Sequence, residues 1–167
     1  MNLEFHQLDC RYEALRKRDP RKERQLLASL AEHGQLLPVV VVAADERFIL
    51  VDGYKRLRAL TRLAHDTVRA MRWEIDEPEA LILEQLMRAA DPVGPLEQGW
   101  VLDALQTRFG LALADLARRF DKTASWVSRR LALVRDLPEL IHGEVRAGRL
   151  APHAAMKYLV PLARANA

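Results

Sequence analysis

The sequence is poor in the residues that build covalent or metal sites. Cys10 is the only cysteine, which excludes an intrachain disulfide and a metal site with several cysteine ligands. The five histidines are scattered without an HxxxH pair, so a structural zinc site is not expected. Neither a GxSxG motif nor a P-loop occurs. A lone cysteine is typical of proteins from a reducing compartment, and we expect a cytoplasmic location.

Long hydrophobic runs are also missing. The longest candidate, residues 36–44, is far shorter than the ~20 residues that a membrane helix needs. Residues 1–10 alternate polar and apolar side chains, unlike a signal peptide. We therefore expect no membrane partner. Aromatic residues make up only 6% of the chain, while Leu, Ala and Arg dominate, and this composition favours helices over an all-β fold.

The charge distribution is more informative than the net charge of +3. Residues 11–24, 52–72 and 112–135 are basic, whereas residues 73–104 hold eight acids and one base, Arg88. A local basic block can bind a polyanion even when the whole chain is almost neutral. The last basic block, with six basic and two acidic residues, is the one that also carries a structural motif.

The first half of the 167-residue chain predicts a small α+β unit. Hydrophobic periodicity and turn residues predict helices at 21–33, 54–63 and 78–90, and strands at 39–42, 48–51 and 67–75. In the last strand Val68, Ala70 and Met71 are expected to face inward. The last helix is expected to have a broad apolar face of Leu81, Ile82, Leu83, Leu86 and Met87.

A break at residues 91–95, with two prolines and a glycine, predicts the domain boundary. We therefore expect one domain at residues 1–91 and an all-α domain at 92–167. The helices of the second domain are predicted at 96–109, 113–120, 125–134, 138–147 and 152–163.

Residues 113–134 carry the sharpest pattern, that of a helix-turn-helix. Asp121 tolerates a left-handed turn, Ser125 is predicted to cap the next helix, and Val127, Leu131 and Val134 are predicted to form its inner face. Short polar and basic side chains on the outer face fit a DNA groove. These residues are Lys122, Thr123, Ser125, Ser128, Arg129, Arg130 and Ala132. The alternative is an ordinary helical hairpin with solvated arginines.

A glycine-basic turn follows the second predicted strand. Gly53 allows a ligand to approach the backbone, a helix N-terminus favours an anion, and Lys55 and Arg56 add cationic donors. The alternative is a simple turn. Glu84 and Arg88 are spaced i, i+4, and this spacing favours a helix salt bridge over a carboxylate aimed at a metal-nucleotide site.

In their order along the chain, these segments resemble the ParB family. Residues 32–41 (EHGQLLPVVV) resemble its first motif, and residues 53–59 (GYKRLRA) resemble GERRxRA. Residues 84–88 (EQLMR) resemble ENxQR, and residues 95–98 (PLEQ) resemble the start of the family's DNA-binding domain. The resemblance spans about residues 16–158, nearly the whole chain.

The resemblance implies a ParB/sulfiredoxin-like α+β domain that binds CTP and Mg²⁺, followed by a helix-turn-helix domain that binds palindromic DNA. The residues it places at the nucleotide are Gly53, Tyr54, Lys55, Arg56, Arg58, Glu84 and Arg88, with Glu84 near the Mg²⁺. It places Thr123, Ser125, Ser128 and Arg129 at the DNA, together with Lys122 and Arg130.

Three departures bear on activity. Tyr54 stands where the motif has Glu, Gln85 where it has Asn, and Met87 where it has Gln. Because tyrosine cannot act as the carboxylate that hydrolysis would use, we expect CTP hydrolysis to be weak or absent, and we assign no catalytic residue. A sulfiredoxin would need cysteine in this turn. The family's C-terminal dimerisation domain is missing, so the chain is a short member or a fragment.

Three hypotheses follow. The first is a sequence-specific, CTP-regulated partition protein that is nucleoid or plasmid associated, binds palindromes as a homodimer and has a partition ATPase as a partner. The second is a transcriptional regulator of a plasmid or mobile element with a non-hydrolysing N-terminal scaffold. The third is a nucleotide-dependent enzyme on the same fold.

Overall fold

The computed structural model describes residues 1–88 and 93–167. The chain divides into two compact units, Met1–Glu84 and Gln85–Ala167. The boundary that the sequence predicts, between residues 91 and 92, lies outside the described residues. Within the described ranges, no helix combines the length and apolar character needed to cross a bilayer.

The first unit is built on a five-stranded mixed sheet with the order β1-β5-β3-β4-β2. Its strands are β1 (Asn2–Glu4), β2 (Leu8–Asp9), β3 (Val39–Ala44), β4 (Arg47–Asp52) and β5 (Thr67–Arg72). β3 and β4 form an antiparallel hairpin, β3 and β5 run parallel, and the two shortest strands lie at the edges. The β-branched run in β3 is buried on both faces, as a central strand requires.

Three helices complete the first half of the chain: α1 (Pro20–His33), α2 (Tyr54–Arg62) and α3 (Glu77–Met87). α1 begins where the Asp19 carboxylate accepts hydrogen bonds from the amides of Arg21 and Lys22, and it ends at Gly34 with φ +68°. These helices and β3–β5 confirm the predicted α+β order. The predicted strand at 67–75 is three residues longer than β5, and the end predicted for α3, at residues 89 and 90, lies outside the described residues.

Two strands in this unit were not predicted, and one prediction was wrong. Residues 1–10 alternate polar and apolar side chains, but β1 and β2 have only three and two residues, too few for alternation to identify a strand. β1 pairs with β5 and β2 with β4, across long sequence separations. Met71 was predicted to face inward but is 47% exposed, because alternation along β5 buries Val68 and Ala70 and turns Met71 to the other face.

α3 is less deeply buried than its apolar sequence suggests. Leu81 and Ile82 are buried, whereas Leu83, Leu86 and Met87 are exposed. The broad apolar face predicted for this helix is therefore buried at Leu81 and Ile82 and exposed at the other three positions.

The second unit is helical, as the sequence predicts. It contains α4 (Pro95–Phe109), α5 (Leu113–Arg119), α6 (Ala124–Arg135), α7 (Glu139–Arg146), α8 (Pro152–Ala154) and α9 (Val160–Ala165). A π-helical turn, Ala155–Leu159, separates α8 from α9, where one continuous helix was predicted. Pro161 lies two residues beyond this turn, as the second residue of α9, and has no N–H to donate to the carbonyl of Lys157, which explains the irregular turn.

α4 and α6 cross at Gly99. A methyl group at this position would lie 2.5 Å from the carbonyl oxygen of Arg130 and 2.8 Å from a Val134 methyl. The two backbones therefore approach each other at a point where only glycine fits. This crossing orients α6 on the core of the second unit.

Candidate nucleic-acid interface and anion-binding turn

α5 and α6 form a compact helix-turn-helix within the second unit. Asp121 adopts φ +51°, the left-handed conformation that the sequence predicts for this turn. The amide of Lys122 donates to the Ala117 carbonyl at 2.8 Å, which closes the end of α5. The Thr123 hydroxyl then accepts from the amide of Trp126 at 3.1 Å and caps α6.

The residue that caps α6 differs from the one that the sequence predicts. Ser125 was predicted to cap α6, but α6 begins at Ala124 and the capping side chain is Thr123. Both residue types are good N-caps, so sequence alone does not decide between positions two residues apart. Ser125 therefore lies inside the first turn, with its side chain exposed.

The outer face of α6 presents most of the predicted DNA-binding residues to solvent. Lys122, Thr123, Ser125, Ser128 and Arg129 are exposed, and Arg130 is half-buried. Val127 and Leu131 form the buried inner face as predicted.

One prediction for the faces of α6 needs correction. Ala132 was placed on the outer face but is 6% exposed, because it packs into the cluster that also holds Leu137 and Val145. Val134 lies on the inner face as predicted, half-buried, and packs against this cluster. The helix thus buries a wider stripe than the i, i+4, i+7 spacing indicates.

Trp126 lies at the junction of the turn and the first turn of α6. Its ring packs against Phe120 at 6.1 Å, and the Arg130 guanidinium lies 4.3 Å from the ring centroid. An open depression of about 450 Å³ lies beside it, lined by Asp121, Lys122, Thr123, Trp126 and Arg129. The sequence left two interpretations of Trp126 open, a core or interface position or, beside the recognition face, packing against a DNA backbone.

The glycine-basic turn of the first unit is the second candidate site. Gly53 adopts φ +109°, and a side chain there would clash with Val39, whose Cγ1 would lie 2.5 Å from the added carbon. α2 begins directly after it, and Gly53 supplies no side-chain cap to the first amides of the helix, an arrangement in which a helix N-terminus favours an anion. Lys55 is half-buried in this first turn. The turn therefore fits a phosphate group.

Tyr54 is buried rather than presented to a ligand. It is 5% exposed, and its hydroxyl donates to the Leu50 carbonyl. Burial raises the pKa of the Tyr54 phenol above its ordinary value. Tyr54 thus contributes to packing at the start of α2. Its assignment to the nucleotide stays a prediction.

Arg56 and Arg58 are engaged within the fold. Arg56 donates to the Pro38 carbonyl and lies 3.6 Å from Asp52. Arg58 donates to Glu13 at 2.6 Å and to Glu23 at 2.7 Å. Both guanidiniums would have to share or exchange these partners to meet a phosphate.

Glu23 binds two guanidiniums. Hydrogen bonds from Arg18 and Arg58 lower its pKa to about 2. Glu23 and Arg58 line a depression of about 250 Å³ that is otherwise largely basic, with Arg18, Lys55 and Arg62. The ionised carboxylate holds this basic cluster together.

Arg16 is a residue that the sequence analysis missed. It donates to the Glu84 carboxylate at 2.6 Å and to the Val51 carbonyl at 2.8 Å, and its guanidinium lies 5.5 Å from the centre of the Tyr54 ring. Glu84 is 3% exposed, so this ion pair is buried. No short-range motif links positions 16 and 84, and only the basic character of residues 11–24 hinted at a role.

The surroundings of Glu84 do not fit a magnesium ligand in this arrangement, because its carboxylate already binds a guanidinium. Among residues 1–88 and 93–167, no group of three Asp, Glu, His or Cys side chains is placed to hold a metal. Magnesium at Glu84 thus stays a prediction that requires Arg16 to move. Arg88, the predicted neighbour of Glu84, lies 3.1 Å from Glu97.

The chain therefore combines a mixed-sheet α+β unit with a helical unit. A family model for the ParB N-terminal domain matches residues 1–87, more than half of the chain. The chain belongs to this family, which confirms the resemblance drawn from its motifs.

Curated relatives extend the similarity into the second unit. The chain is 30% identical over 147 residues to a probable chromosome-partitioning protein ParB of Pseudomonas putida, covering 83% of this chain and 50% of the relative. It is 32% identical over 130 residues to the stage 0 sporulation protein J of Bacillus subtilis, covering 76% and 45%. The chain thus spans about half the length of the curated relatives it matches.

Solved structures confirm the predicted fold. A C-terminally truncated ParB from Caulobacter crescentus, complexed to the centromeric parS site, matches with a TM-score of 0.52 at 24% identity, over 99% of this chain and 90% of that one. A pNOB8-like ParB N-domain matches with a TM-score of 0.57 at 14% identity, over 93% and 77%.

Proposed function

We propose that this chain is a DNA-binding partition protein of the ParB type that recognises duplex DNA through α6. The observation that supports the proposal is the outer face of α6. Hydroxyls and one exposed guanidinium lie on this face, next to a helix start that is capped and follows a tight turn. Side chains at the N-terminal end of a recognition helix reach base edges in the major groove. The Caulobacter crescentus relative with this fold is complexed to parS.

The proposal includes the arrangement of the complex. A helix-turn-helix that reads a palindrome does so as a two-fold dimer, and we propose a homodimer on palindromic half-sites. We further propose a partition ATPase as a partner and a location on the nucleoid or a plasmid. Lys122, Thr123, Ser125, Ser128, Arg129 and Arg130 are the proposed DNA contacts.

Selection of bound sequences from random DNA tests the proposal, followed by affinity measurements on the selected duplex. Arg129→Ala is expected to weaken binding by about 10- to 100-fold, because one base-reading contact is worth about 1–3 kcal/mol. Arg149→Ala is the matched control, since Arg149 is exposed, is not among the proposed contacts and pairs with Glu144 of α7. Equal binding by wild type and Arg129→Ala would contradict the assignment.

We propose that the first unit binds a nucleoside triphosphate, CTP, at the turn that precedes α2. Support comes from the uncapped helix start after Gly53, from Lys55 beside it, and from the motifs at residues 53–59 and 84–88. The proposed ligand contacts are Gly53, Tyr54, Lys55, Arg56, Arg58, Glu84 and Arg88. When bound, the triphosphate would supply the negative charge that these amides and cations neutralise.

Calorimetric titration of CTP, UTP, ATP and GTP, each with Mg²⁺ and with EDTA, tests this site. Lys55→Ala is expected to weaken CTP binding by about tenfold, because a charge-assisted hydrogen bond contributes about 1.5–3 kcal/mol. Lys157→Ala, in the second unit, is the matched control. If no nucleotide binds in either buffer, or if Lys55→Ala binds CTP as wild type does, the proposed site is wrong.

A second candidate function is transcriptional regulation with a non-hydrolysing N-terminal scaffold. It is favoured by the engagement of Tyr54 and Glu84 within the fold, where neither side chain is placed as a general base. Weak or absent CTP hydrolysis is proposed for both functions. A phosphate-release assay that detects rapid DNA-stimulated turnover would favour instead a nucleotide-dependent enzyme on this fold.

A further inference from the structure

Trp126 is the centre of a small cluster at the start of α6. The cluster consists of Trp126, Phe120, Lys122, Arg130 and Gln98, and we call it the Trp126 cluster. Two cationic groups lie near the indole, the Arg130 guanidinium 4.3 Å and the Lys122 ammonium 5.9 Å from its centroid. Both are within the range at which a cation is attracted to an aromatic face.

Arg130 is held more firmly than its neighbour Arg129. Its Nε donates to the Gln98 amide oxygen at 3.1 Å, while its guanidinium lies against Trp126. Arg130 is half-buried, whereas Arg129 is exposed. Desolvation and the charge of Arg129 lower the pKa of Arg130, which stays protonated at neutral pH.

Two further contacts restrain the position of Trp126. Its amide donates to the Thr123 hydroxyl, and its ring packs on Phe120 with an interplanar angle of 30°. Gln98, the hydrogen-bond partner of Arg130, directly precedes Gly99, where α4 and α6 are in contact. The cluster therefore connects the turn, the recognition helix and α4 through side chains that restrict one another.

We propose that Trp126 is a positioning residue that orders Arg130 and Lys122 as phosphate contacts before DNA arrives. This inference rests on the proposed DNA-binding function. It divides the basic side chains of α6 into two roles, with Arg129 reading bases and Arg130, held by Trp126 and Gln98, contacting the phosphate backbone.

The benefit of such ordering is entropic. A free arginine or lysine loses rotamer freedom when it binds a phosphate, and a pre-ordered side chain loses less. Phosphate contacts also set the salt dependence of binding, with a slope of about −0.9 in log K against log salt for each phosphate neutralised. Loss of the indole is therefore expected to reduce both affinity and the salt slope.

Affinity measurements across a salt series test the proposal. Trp126→Leu is expected to bind selected and unrelated duplexes about tenfold more weakly. Its salt slope is expected to be smaller in magnitude by about one unit. Trp126→Phe keeps an aromatic face and is expected to recover most of the affinity. Trp100→Leu is the matched control, because Trp100 also has an arginine against its ring, Arg146 at 5.6 Å, but lies on the α7 side.

A double-mutant cycle separates positioning from a loss of folding. In an Arg130→Met background, Trp126→Leu is expected to cost much less affinity, because the side chain it positions is already gone. All measurements are made well below the unfolding midpoint of each variant. Additive effects, an unchanged salt slope, or no recovery with phenylalanine would each overturn the proposal.

NMR of the free protein distinguishes failure of this inference from failure of the proposed function. In wild type the side-chain methylene protons of Arg130 are expected to be shifted upfield by the indole ring, and in Trp126→Leu the shift is expected to disappear. Absence of this shift in wild type overturns the inference and leaves DNA binding untouched. A wild-type chain that shows the shift but binds no duplex overturns both.

Discussion

Replacing Arg16 with methionine is expected to lower the free energy of unfolding of the first unit by about 4 kcal/mol. The guanidinium neutralises Glu84, a carboxylate that is only 3% exposed, and removing one partner of a buried ion pair leaves its charge in a poorly solvated place. Arg16 also donates to the Val51 carbonyl in β4, so the substitution removes a second buried hydrogen bond.

Amide hydrogen exchange in β3 and β4, combined with urea unfolding, measures this effect. The double variant Arg16→Met/Glu84→Met is expected to recover much of the loss, because replacing both partners removes the uncompensated charge. Arg149→Met is the matched control. Its partner Glu144 is 36% exposed, and such a surface pair contributes about 0–1 kcal/mol. A loss in Arg16→Met no larger than in this control would show that the buried pair is unimportant for stability.

A methyl group at position 99 is expected to destabilise the second unit by about 2 kcal/mol. Alanine normally stabilises a helix interior by about 1 kcal/mol relative to glycine, so the sign of the effect is itself diagnostic. In Gly99→Ala the added carbon meets the Arg130 carbonyl oxygen at 2.5 Å, and a backbone atom cannot move aside as a flexible side chain can. α6 must shift away from α4 to make room.

Gly143→Ala is the matched control for the same chemical change. Gly143 lies inside α7 with nothing within 4 Å of an added methyl, so its replacement is expected to stabilise the unit by about 1 kcal/mol. Thermal unfolding monitored by tryptophan fluorescence compares the two. Gly99→Ala is also expected to reduce DNA affinity, because the shift acts on the recognition helix. If Gly99→Ala is instead more stable than wild type, α4 and α6 are farther apart at Gly99 than these distances indicate.

The local parts of the fold were predictable because their signals lie within a few residues. The periodic leucines of α1 end at Gly34, and the four valines of β3 follow Pro38, so both elements were found from sequence alone. The turn at Asp121 was found for the same reason. β1 and β2 were missed because alternation over three and two residues is too short to identify a strand, and only their distant partners define them.

The candidate sites were predictable in composition but not in geometry. The sequence identified the basic turn after Gly53 and the outer face of α6. It did not reveal that Arg58 is held by Glu13 and Glu23, or that Arg16 reaches Glu84, because these contacts join positions 35 to 68 residues apart. Gly99 illustrates the same limit. A glycine inside a predicted helix indicates that another group packs closely against it, but it does not identify that group.

The placement of the first nine residues at both edges of the sheet has a consequence for biosynthesis. β2 can pair with β4 once residue 52 has left the ribosome, whereas β1 finds its partner β5 only after residue 72 has followed. An edge strand without its neighbour has an unpaired border that invites association with other chains. Pairing of β1 with β5 thus closes the sheet last, and we expect protection of the nascent unit against self-association to be completed in that step.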